Sequence, residues 1–453
     1  MEEKNIHFIG IGGISMSGLA EILHRGGYNI SGSDDVETEI TKRLATLGIK
    51  VNIPNAAKNI MPEIELIVYT AAVKSDNPEF CAAEQMGIPM LERAAFIGKL
   101  LKGYEPICVA GSHGKTTTSS MVAEVTKYAG LDPTIQIGGH MNNGGTNYRV
   151  GESKCFVLEA CEYSNSFHHW HPKIGIILNI DADHLDFFGS MDNLIASFAK
   201  FASNIRPDGV LVIQKGIPGF EAVVKSATCK VVTFGMSKDA DFCAEEIEYK
   251  DGKPNFVVLV EGLKEAQISL KLPGEYNMLN ALACFAASSM LGIPSETIAE
   301  SLSNAKGTRR RFEHKGDLNG IKIIDDYAHH PTEITACLKA ARQTQGSGRI
   351  VCLFQPHTYT RTKNHLDDFA KAFSDADEII IIPIYAAREP NDPTISSEIL
   401  TERVKSNGGN AIFIENFDKA SNYVKNNLNK GDMLLTMGAG DVFKIGDDLL
   451  CDA

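Results

Sequence analysis

An α/β protein of three successive strand-and-helix series is the fold class this sequence predicts, and three observations predict it. Short apolar runs alternate with helix-length amphipathic segments along all 453 residues, the pattern of parallel strands joined by helical crossovers. The alternation opens three times, at Asn5, at Pro106 and after Arg311. At about 150 residues per domain, the length also suggests roughly three domains, each able to bury a core.

The first series begins with the strand Asn5-Ile6-His7-Phe8-Ile9, passes a glycine-rich turn, runs as a helix to Arg25 and returns as Tyr28-Asn29-Ile30-Ser31. It occupies residues 1–104. The second, 105–308, opens with Pro106 to Ala110 and carries strands at Lys154 to Leu158 and Ile174 to Ile180. Its later part, Val231 to Leu272, holds strand-like runs split by Lys-Asp-Gly and Glu-Gly, which predict antiparallel hairpins. The third, 309–453, has its strands at Ile321 to Ile324, Arg349 to Phe354, Glu378 to Ile382, Ala411 to Ile414 and Asp432 to Met437.

Composition narrows the function classes. A net charge of −13, with 43% hydrophobic and 22% charged residues, argues against a nucleic-acid or anionic-membrane surface as main partner. The longest uncharged stretch, Tyr276 to Ser295, is interrupted by Asn277, Asn280, Ser288, Ser289 and Pro294, so it reads as a buried helix rather than a membrane span. Met1-Glu2-Glu3-Lys4 lacks the basic and apolar regions of a signal peptide, which predicts a cytoplasmic protein. Ten cysteines without a Cys-x-x-Cys pair predict reduced, mostly buried thiols.

Two turns carry the strongest chemical signals. Gly111-Ser112-His113-Gly114-Lys115-Thr116-Thr117-Thr118 follows a strand and opens a helix. Backbone N–H groups at such a helix start meet an anion, the lysine faces the β- and γ-phosphates, and the threonine hydroxyl suits Mg²⁺, so ATP is the expected cofactor. Only Ser112 and His113 separate the two glycines, two fewer than in the usual phosphate loop. The first turn, with Gly10, Gly12, Gly13 and Gly18, resembles a dinucleotide fingerprint followed by Asp34, which makes a nicotinamide-dependent dehydrogenase the rival reading. Ser15 stands at its third glycine. A diphosphate of another nucleotide suits the same helix end.

Glu159 and the Asp181-Ala182-Asp183-His184 segment follow strands of the second series, where a Mg²⁺-ATP site takes its remaining ligands. Solvated capping carboxylates are the alternative. His168, His169 and His171 lack the partners of a zinc site and predict packing or surface roles. Within Arg309-Arg310-Arg311-Phe312, one guanidinium at the handover between series is expected to meet γ-phosphate charge. The turns Asp325 to Pro331 and Phe354 to Thr362, taken as neighbours in a parallel sheet, predict one crevice in which Arg361 holds a small substrate's carboxylate.

In order, these segments, together with Glu159-Ala-Cys-Glu-Tyr163, Asn179-Ile-Asp-Ala-Asp-His184, Tyr276-Asn-Met-Leu-Asn280 and His357-Thr-Tyr-Thr-Arg361, resemble the Mur ligases of peptidoglycan synthesis, over nearly the whole chain. The resemblance implies a Rossmann-like N-terminal domain for a UDP-sugar, a central phosphate-loop ATPase domain and a Rossmann-like C-terminal domain that admits the amino acid. It implies that Lys115 contacts the β- and γ-phosphates, Thr116 and Glu159 hold one Mg²⁺ and His184 a second. Asn277 and Asn280 match the family's adenine-binding asparagines, Asp326 its ribose aspartate and Arg311 its γ-phosphate arginine. His329, His357 and Arg361 fall where the alanine-adding branch recognises L-alanine. The implied reaction activates the lactyl carboxylate of UDP-N-acetylmuramate as an acyl phosphate and transfers it to the alanine amine. A monomer or weak homodimer is expected.

Uridine and diphosphate contacts are expected from Gly10, Gly12, Gly13, Ser15 and Asp34, with Thr70, Ser75, His140 and Asn142 as candidates by position. Cys161 stands where many relatives carry Asp, and Arg309 where glycine is usual. Lys200 is spaced as a candidate for the carbamylated lysine of some sister ligases. The recycling ligase, which adds a whole tripeptide to the same sugar nucleotide, is the nearest alternative, and the His-Thr-Tyr-Thr-Arg segment argues against it. Folylpolyglutamate synthetase lacks the Gly10 to Gly18 type of domain, and a non-catalytic ATP switch would not need a full set of metal and γ-phosphate groups.

Overall fold

The computed structural model describes residues 2–70, 72–140, 147–387 and 389–451. The chain divides into two compact units, residues 1–234 with 283–298, and residues 235–282 with 299–453.

The first unit holds two sheets. Strands β1 (Asn5–Ile9), β2 (Asn29–Ser33), β3 (Lys50–Asn52), β4 (Leu66–Tyr69) and β5 (Met90–Glu92) form a wholly parallel sheet in the order β3-β2-β1-β4-β5. The order reverses at β1, so the Gly10–Gly13 turn lies at the switch point of the sheet, where ligands of open α/β sheets bind. In the second sheet, β6 (Glu105–Ala110) sits between β9 (Cys155–Glu159) and β10 (Ile174–Ile177). β7 (Thr134–Gln136) and β8 (Tyr148–Arg149) extend it beyond β9, and β11 (Val210–Gln214) and β12 (Lys230–Gly235) beyond β10. β12 pairs with β11 in parallel, so the expected antiparallel region begins later than Val231.

One apolar core runs through both sheets of this unit, from Phe8 and Leu19 through Phe96 to Phe156, Trp170 and Phe198. Close backbone approach makes this possible. A Cβ on Gly98 would stand 2.3 Å from the His169 carbonyl oxygen, and Trp170 Nε1 donates to the Ala94 carbonyl at 3.0 Å. His168 stacks on Phe167 and shares a 3.0 Å contact between its Nε2 and the Ser197 carbonyl, while His171 Nδ1 meets the Asn204 carbonyl at 3.1 Å. His168 thus packs, while His169 and His171 stand at the surface, within the packing or surface roles expected of that cluster.

In the second unit β13 (Phe242–Lys250), β14 (Lys253–Val260) and β15 (Leu263–Ser269) form two antiparallel hairpins. Asp251-Gly252 and Glu261-Gly262 turn them with φ of 51, 73, 51 and 82°, the left-handed pairs that suit tight hairpins. The last sheet holds β16 (Glu313–Leu318), β17 (Ile321–Asp326), β18 (Ile350–Phe354), β19 (Glu378–Ile381), β20 (Ala411–Phe413) and β21 (Met433–Met437), ordered β16-β17-β21-β18-β19-β20. β16 is an antiparallel edge strand absent from the sequence reading. Its charged, half-buried Glu-His-Lys-Gly-Asp run lacks the apolar signature of a buried strand. β21 pairs in parallel with both β17 and β18. The two turns read as adjacent are therefore separated by one strand, because a last strand can enter a sheet between earlier ones and leave no local trace.

The stretch Tyr276 to Ser295 contains a helix, Glu275–Ser289, buried from Ala281 through Ala287. No helix of the described residues is long and apolar enough to cross a membrane.

Candidate active site

The phosphate loop is built by β6 and the helix Lys115–Tyr128. Gly111 and Gly114 have φ of 142 and 81°, conformations that a side chain would strain. The segment after β10 fixes the loop. Asn179 Oδ1 accepts from His113 N at 2.8 Å and its Nδ2 donates to His113 O at 3.1 Å. Ser112 Oγ donates to Asp181 O at 3.1 Å and accepts from Asp181 N at 2.8 Å, and His113 Nε2 lies 2.9 Å from Asp181 Oδ2. The loop's shape is thus set in advance by side chains of the neighbouring strand end, which lowers the reorganisation needed on binding.

Lys115 Nζ donates to the Gly111 and Ser112 carbonyls at 2.5 and 3.0 Å and to Glu162 Oε1 at 3.0 Å. Glu162 is 1% exposed. Burial pulls the ammonium's pKa down, but Glu162 and, more weakly, Glu159 reverse this and hold it above its ordinary value. Glu162, within the Glu159 to Tyr163 segment, is not among the site residues the sequence predicts, because no spacing rule joins it to Lys115, 47 positions away.

Thr116 Oγ1 donates to Glu159 Oε2 at 2.8 Å, and Gly138 N donates to the same oxygen at 2.8 Å. A Cβ on Gly138 would stand 2.6 Å from that oxygen, so a side chain there would require the Glu159 carboxylate to shift. A hydroxyl beside a carboxylate is a hard-oxygen pair that fits Mg²⁺. His184 has a left-handed backbone, its ring centroid lies 4.9 Å from that of Tyr163, and its Nε2 is 3.6 Å from Asp183 Oδ2. Burial first, then Glu162, push the Cys161 thiol up to about 11. It is neutral near pH 7 and does not replace an aspartate as an anionic ligand. Lys200 is exposed in the last turn of its helix, Met191–Ser203.

At the first glycine turn, Gly10 N and Ile11 N both donate to Ser33 O at 2.9 Å, and Gly12 N donates to Asp34 Oδ2 at 2.8 Å. Asp34 therefore braces the turn itself. Thr70 faces Gly10 and its Oγ1 accepts from Ala72 N at 3.2 Å. The Ser75 carbonyl receives the Cys81 thiol, and His140 is exposed. Asn142 lies outside the described residues.

The second unit brings together a different set. Asn277 and Asn280 are buried; Asn277 Nδ2 donates to the Pro273 carbonyl at 2.7 Å and Asn280 Nδ2 to Asn277 Oδ1 at 3.4 Å. Asp326 accepts from Phe312 N and Ala328 N, both at 2.7 Å; burial pushes its pKa up to about 6 while Arg311 pulls the other way. Tyr276, beside Asp326 and Arg311, has its phenol pushed well up by burial. The three arginines separate sharply. Arg309 is exposed, 3.8 Å from Glu313. Arg310 pairs with the buried Asp325 at 3.0 Å, donates to Gly438 O at 2.7 Å and lies 4.3 Å from the Phe443 ring centre. Arg311 lies 4.9 Å from the Tyr327 ring centre. Arg310 and Phe312 both have positive φ, 60 and 46°, so the chain is locally strained on either side of Arg311.

The His329 and His357 rings lie 5.7 Å apart, joining the two turns despite β21 between their strands. Arg361 Nη1 lies 3.2 Å from His357 Nδ1, and His357 stacks on Tyr385 at 5.6 Å. Burial, then the Arg361 charge, lower the His357 pKa from 6.5 to about 4, leaving a neutral ring that accepts from Arg361. The unfolded ring takes its proton near 6.5, so this group's contribution to stability is complete above that pH and is lost as pH falls toward 4. The stability of the protein relative to His357→Gln, read from urea midpoints, should accordingly fall as pH drops from about 7.5 to about 4.5; a constant difference would mean the ring titrates alike in the folded and unfolded chain.

Three family models match in order: the Mur ligase family catalytic domain at residues 5–105, the Mur ligase middle domain at 109–288 and the Mur ligase glutamate ligase domain at 310–440. The UDP-N-acetylmuramate–L-alanine ligase of Agathobacter rectalis is 48% identical over 98% of this chain and 97% of its own. That of Acetivibrio thermocellus is 47% identical over 99% and 96%. Among solved structures, the UDP-N-acetylmuramate–alanine ligase of Thermotoga maritima superposes with a TM-score of 0.83 at 31% identity, covering 99% of this chain and 98% of that one. A murein peptide ligase of Psychrobacter arcticus shares the fold, with a TM-score of 0.71 at 24% identity over 99% and 98% of the two chains. The three α/β domain models, the phosphate loop with its lysine, and full-length relatives at this identity agree: the chain belongs to the Mur ligase family.

Proposed function

We propose that this chain joins L-alanine to the lactyl carboxylate of UDP-N-acetylmuramate, with ATP cleaved to ADP and phosphate, as a step of peptidoglycan synthesis. The observation that carries the reading is its full-length identity of 44 to 48% with alanine-adding ligases, in a chain whose phosphate loop is braced and complete. The lactyl carboxylate attacks the γ-phosphorus and ADP leaves. The alanine amine then attacks the acyl phosphate carbonyl, loses its proton, and phosphate departs.

Lys115 would move from Glu162 to the β- and γ-phosphates, offsetting their repulsion toward the incoming carboxylate. Mg²⁺, held by Thr116 and Glu159 with a second ion at His184, would neutralise charge on the transferring phosphoryl group. Gly111, Ser112, His113, Gly114 and Thr117 complete the ATP cradle, Asn277 and Asn280 take the adenine, and Asp326 the ribose. Arg311 serves the γ-phosphate, and His329, His357 and Arg361 receive L-alanine. The first glycine turn, with Gly10, Gly12, Gly13, Ser15 and Asp34, takes the UDP-sugar, with Thr70, Ser75 and His140 beside it. Functional domains at 1–104, 105–308 and 309–453, a cytoplasmic location and a monomer or weak homodimer complete the reading.

Phosphate release tests it, with Mg²⁺-ATP and UDP-N-acetylmuramate supplied and L-alanine, glycine, L-serine or the recycling tripeptide added in turn. Release is expected to depend on the sugar nucleotide and L-alanine together. Release with the tripeptide alone would move the chain to recycling, and no release with any pairing would overturn the reading.

A further inference from the structure

Two large aromatic side chains stand half-exposed beside the phosphate loop, within the first unit: Tyr163 at 44% and Phe187 at 42%. Their ring centroids lie 5.6 Å apart, and that of His184 lies 4.9 Å from Tyr163. Tyr163 follows Glu162, the buried carboxylate that holds Lys115 at 3.0 Å. Single exposed apolar residues are ordinary, but a contiguous pair at the edge of a charged site is not. Neither ring carries charge to a triphosphate, and the bonds that brace the loop come from Asn179, Ser112 and Asp181 instead.

The backbone is bent on both sides to hold the rings there. Ser164 and Asn165, directly after Tyr163, each have φ of 55°, and His184 has 56°. Non-glycine residues in the left-handed region persist only where the surroundings fix them, and they gather at functional sites. Here the fixing bonds are present. Asn165 N donates to Glu162 O at 2.9 Å, and Asn165 Oδ1 accepts from Ser197 Oγ at 2.5 Å. On the other side Phe187 N and Phe188 N both donate to His184 O at 3.0 Å, and Asn193 Nδ2 donates to Phe188 O at 2.7 Å. Phe188 is buried in the apolar core, with its ring centroid 4.9 Å from that of Phe187. One ring of the consecutive pair thus anchors the turn, and the other is left outside it.

We propose that Tyr163 and Phe187 form the water-excluding wall of the phosphoryl-transfer site: their rings cover the acyl phosphate until the amine attacks, and so decide how tightly ATP cleavage is coupled to amide formation. The competing reaction is hydrolysis. Water adds to the acyl carbonyl, the C–O bond to the phosphate breaks, phosphate leaves, a proton passes to solvent and the lactyl carboxylate is restored. ATP is then consumed with no amide formed. Aromatic faces give an approaching water few hydrogen bonds, and their bulk fills the space from which it would attack. This inference rests on the acyl-phosphate reading above and adds to it the residues that keep water out.

The test measures phosphate released per amide formed, in the full-length protein and in Tyr163→Ala, Phe187→Ala and Tyr163→Phe, with Mg²⁺-ATP, UDP-N-acetylmuramate and limiting L-alanine. The unsubstituted protein is expected to release one phosphate per amide. Each alanine variant is expected to release about two or more, the excess requiring the sugar nucleotide, while Tyr163→Phe keeps the ring and the parent ratio. Urea midpoints should stay close to the parent value, as for exposed positions, and a folding defect would lower both products together without moving their ratio. An unchanged ratio in either alanine variant, loss of both products in proportion, or excess phosphate without the sugar nucleotide would overturn the wall. So would a raised KM for L-alanine at an unchanged ratio, which would make the rings an amine-binding face. An unsubstituted protein that forms no amide with L-alanine would instead sink the ligase reading and this inference with it.

Discussion

Lys115→Met is expected to reduce ATP-dependent phosphate release by about a thousandfold, the scale of losing a preorganised charge at a developing anion. The structure adds a second effect. Glu162 is 1% exposed and its salt bridge is to Lys115 at 2.9 Å, so the single substitution leaves a buried carboxylate uncompensated, at a cost of about 3–5 kcal/mol. Lys115→Met with Glu162→Gln removes that charge. The double variant should recover most of the urea midpoint and none of the activity. If Lys115→Met unfolds no more easily than the parent, the pair is not the buried ion pair described here. If it retains activity, the loop has been misread.

Arg310→Met and Arg311→Met should fail in opposite ways. Arg310 neutralises Asp325, which is 1% exposed, and caps the Gly438 carbonyl. Its loss is expected to cost about 3–5 kcal/mol in urea unfolding, because Asp325 keeps its burial and loses its cation. Arg311 lies over Tyr327 and, among the described residues, makes no salt bridge like that of Arg310, although its charge still favours the ionised form of buried Asp326. Its replacement should leave the midpoint within about 1 kcal/mol and lower kcat by about 100-fold or more, as expected of a guanidinium serving γ-phosphate charge. A stable, inactive Arg310→Met beside an unstable, active Arg311→Met would reverse the assignment.

Much of the site was legible because its signals are local. A strand, a glycine-bearing turn and Lys115 at a helix start lie within a dozen residues, and turn chemistry depends on neighbours in the chain. The two hairpins were legible for the same reason, from Asp251-Gly252 and Glu261-Gly262. What escaped was pairing across distance. Nothing in the spacing ties Glu162 to Lys115 or Asn179 to His113. Nor does the sequence show that β21 separates β17 from β18, since a strand's place in a sheet is settled by which apolar faces pack together.

The sequence by itself determined the α/β class, the opening strands of the first two series, and the phosphate loop with its lysine. Those properties follow from hydrophobic period, glycine's access to left-handed backbone and the chemistry of single side chains. Only the tertiary structure decided which of three consecutive arginines is buried against Asp325, and which carboxylate holds Lys115. The reason is physical: the energy of a charge or a hydrogen-bonding group is set by its burial and its partners, and both are properties of the packed chain.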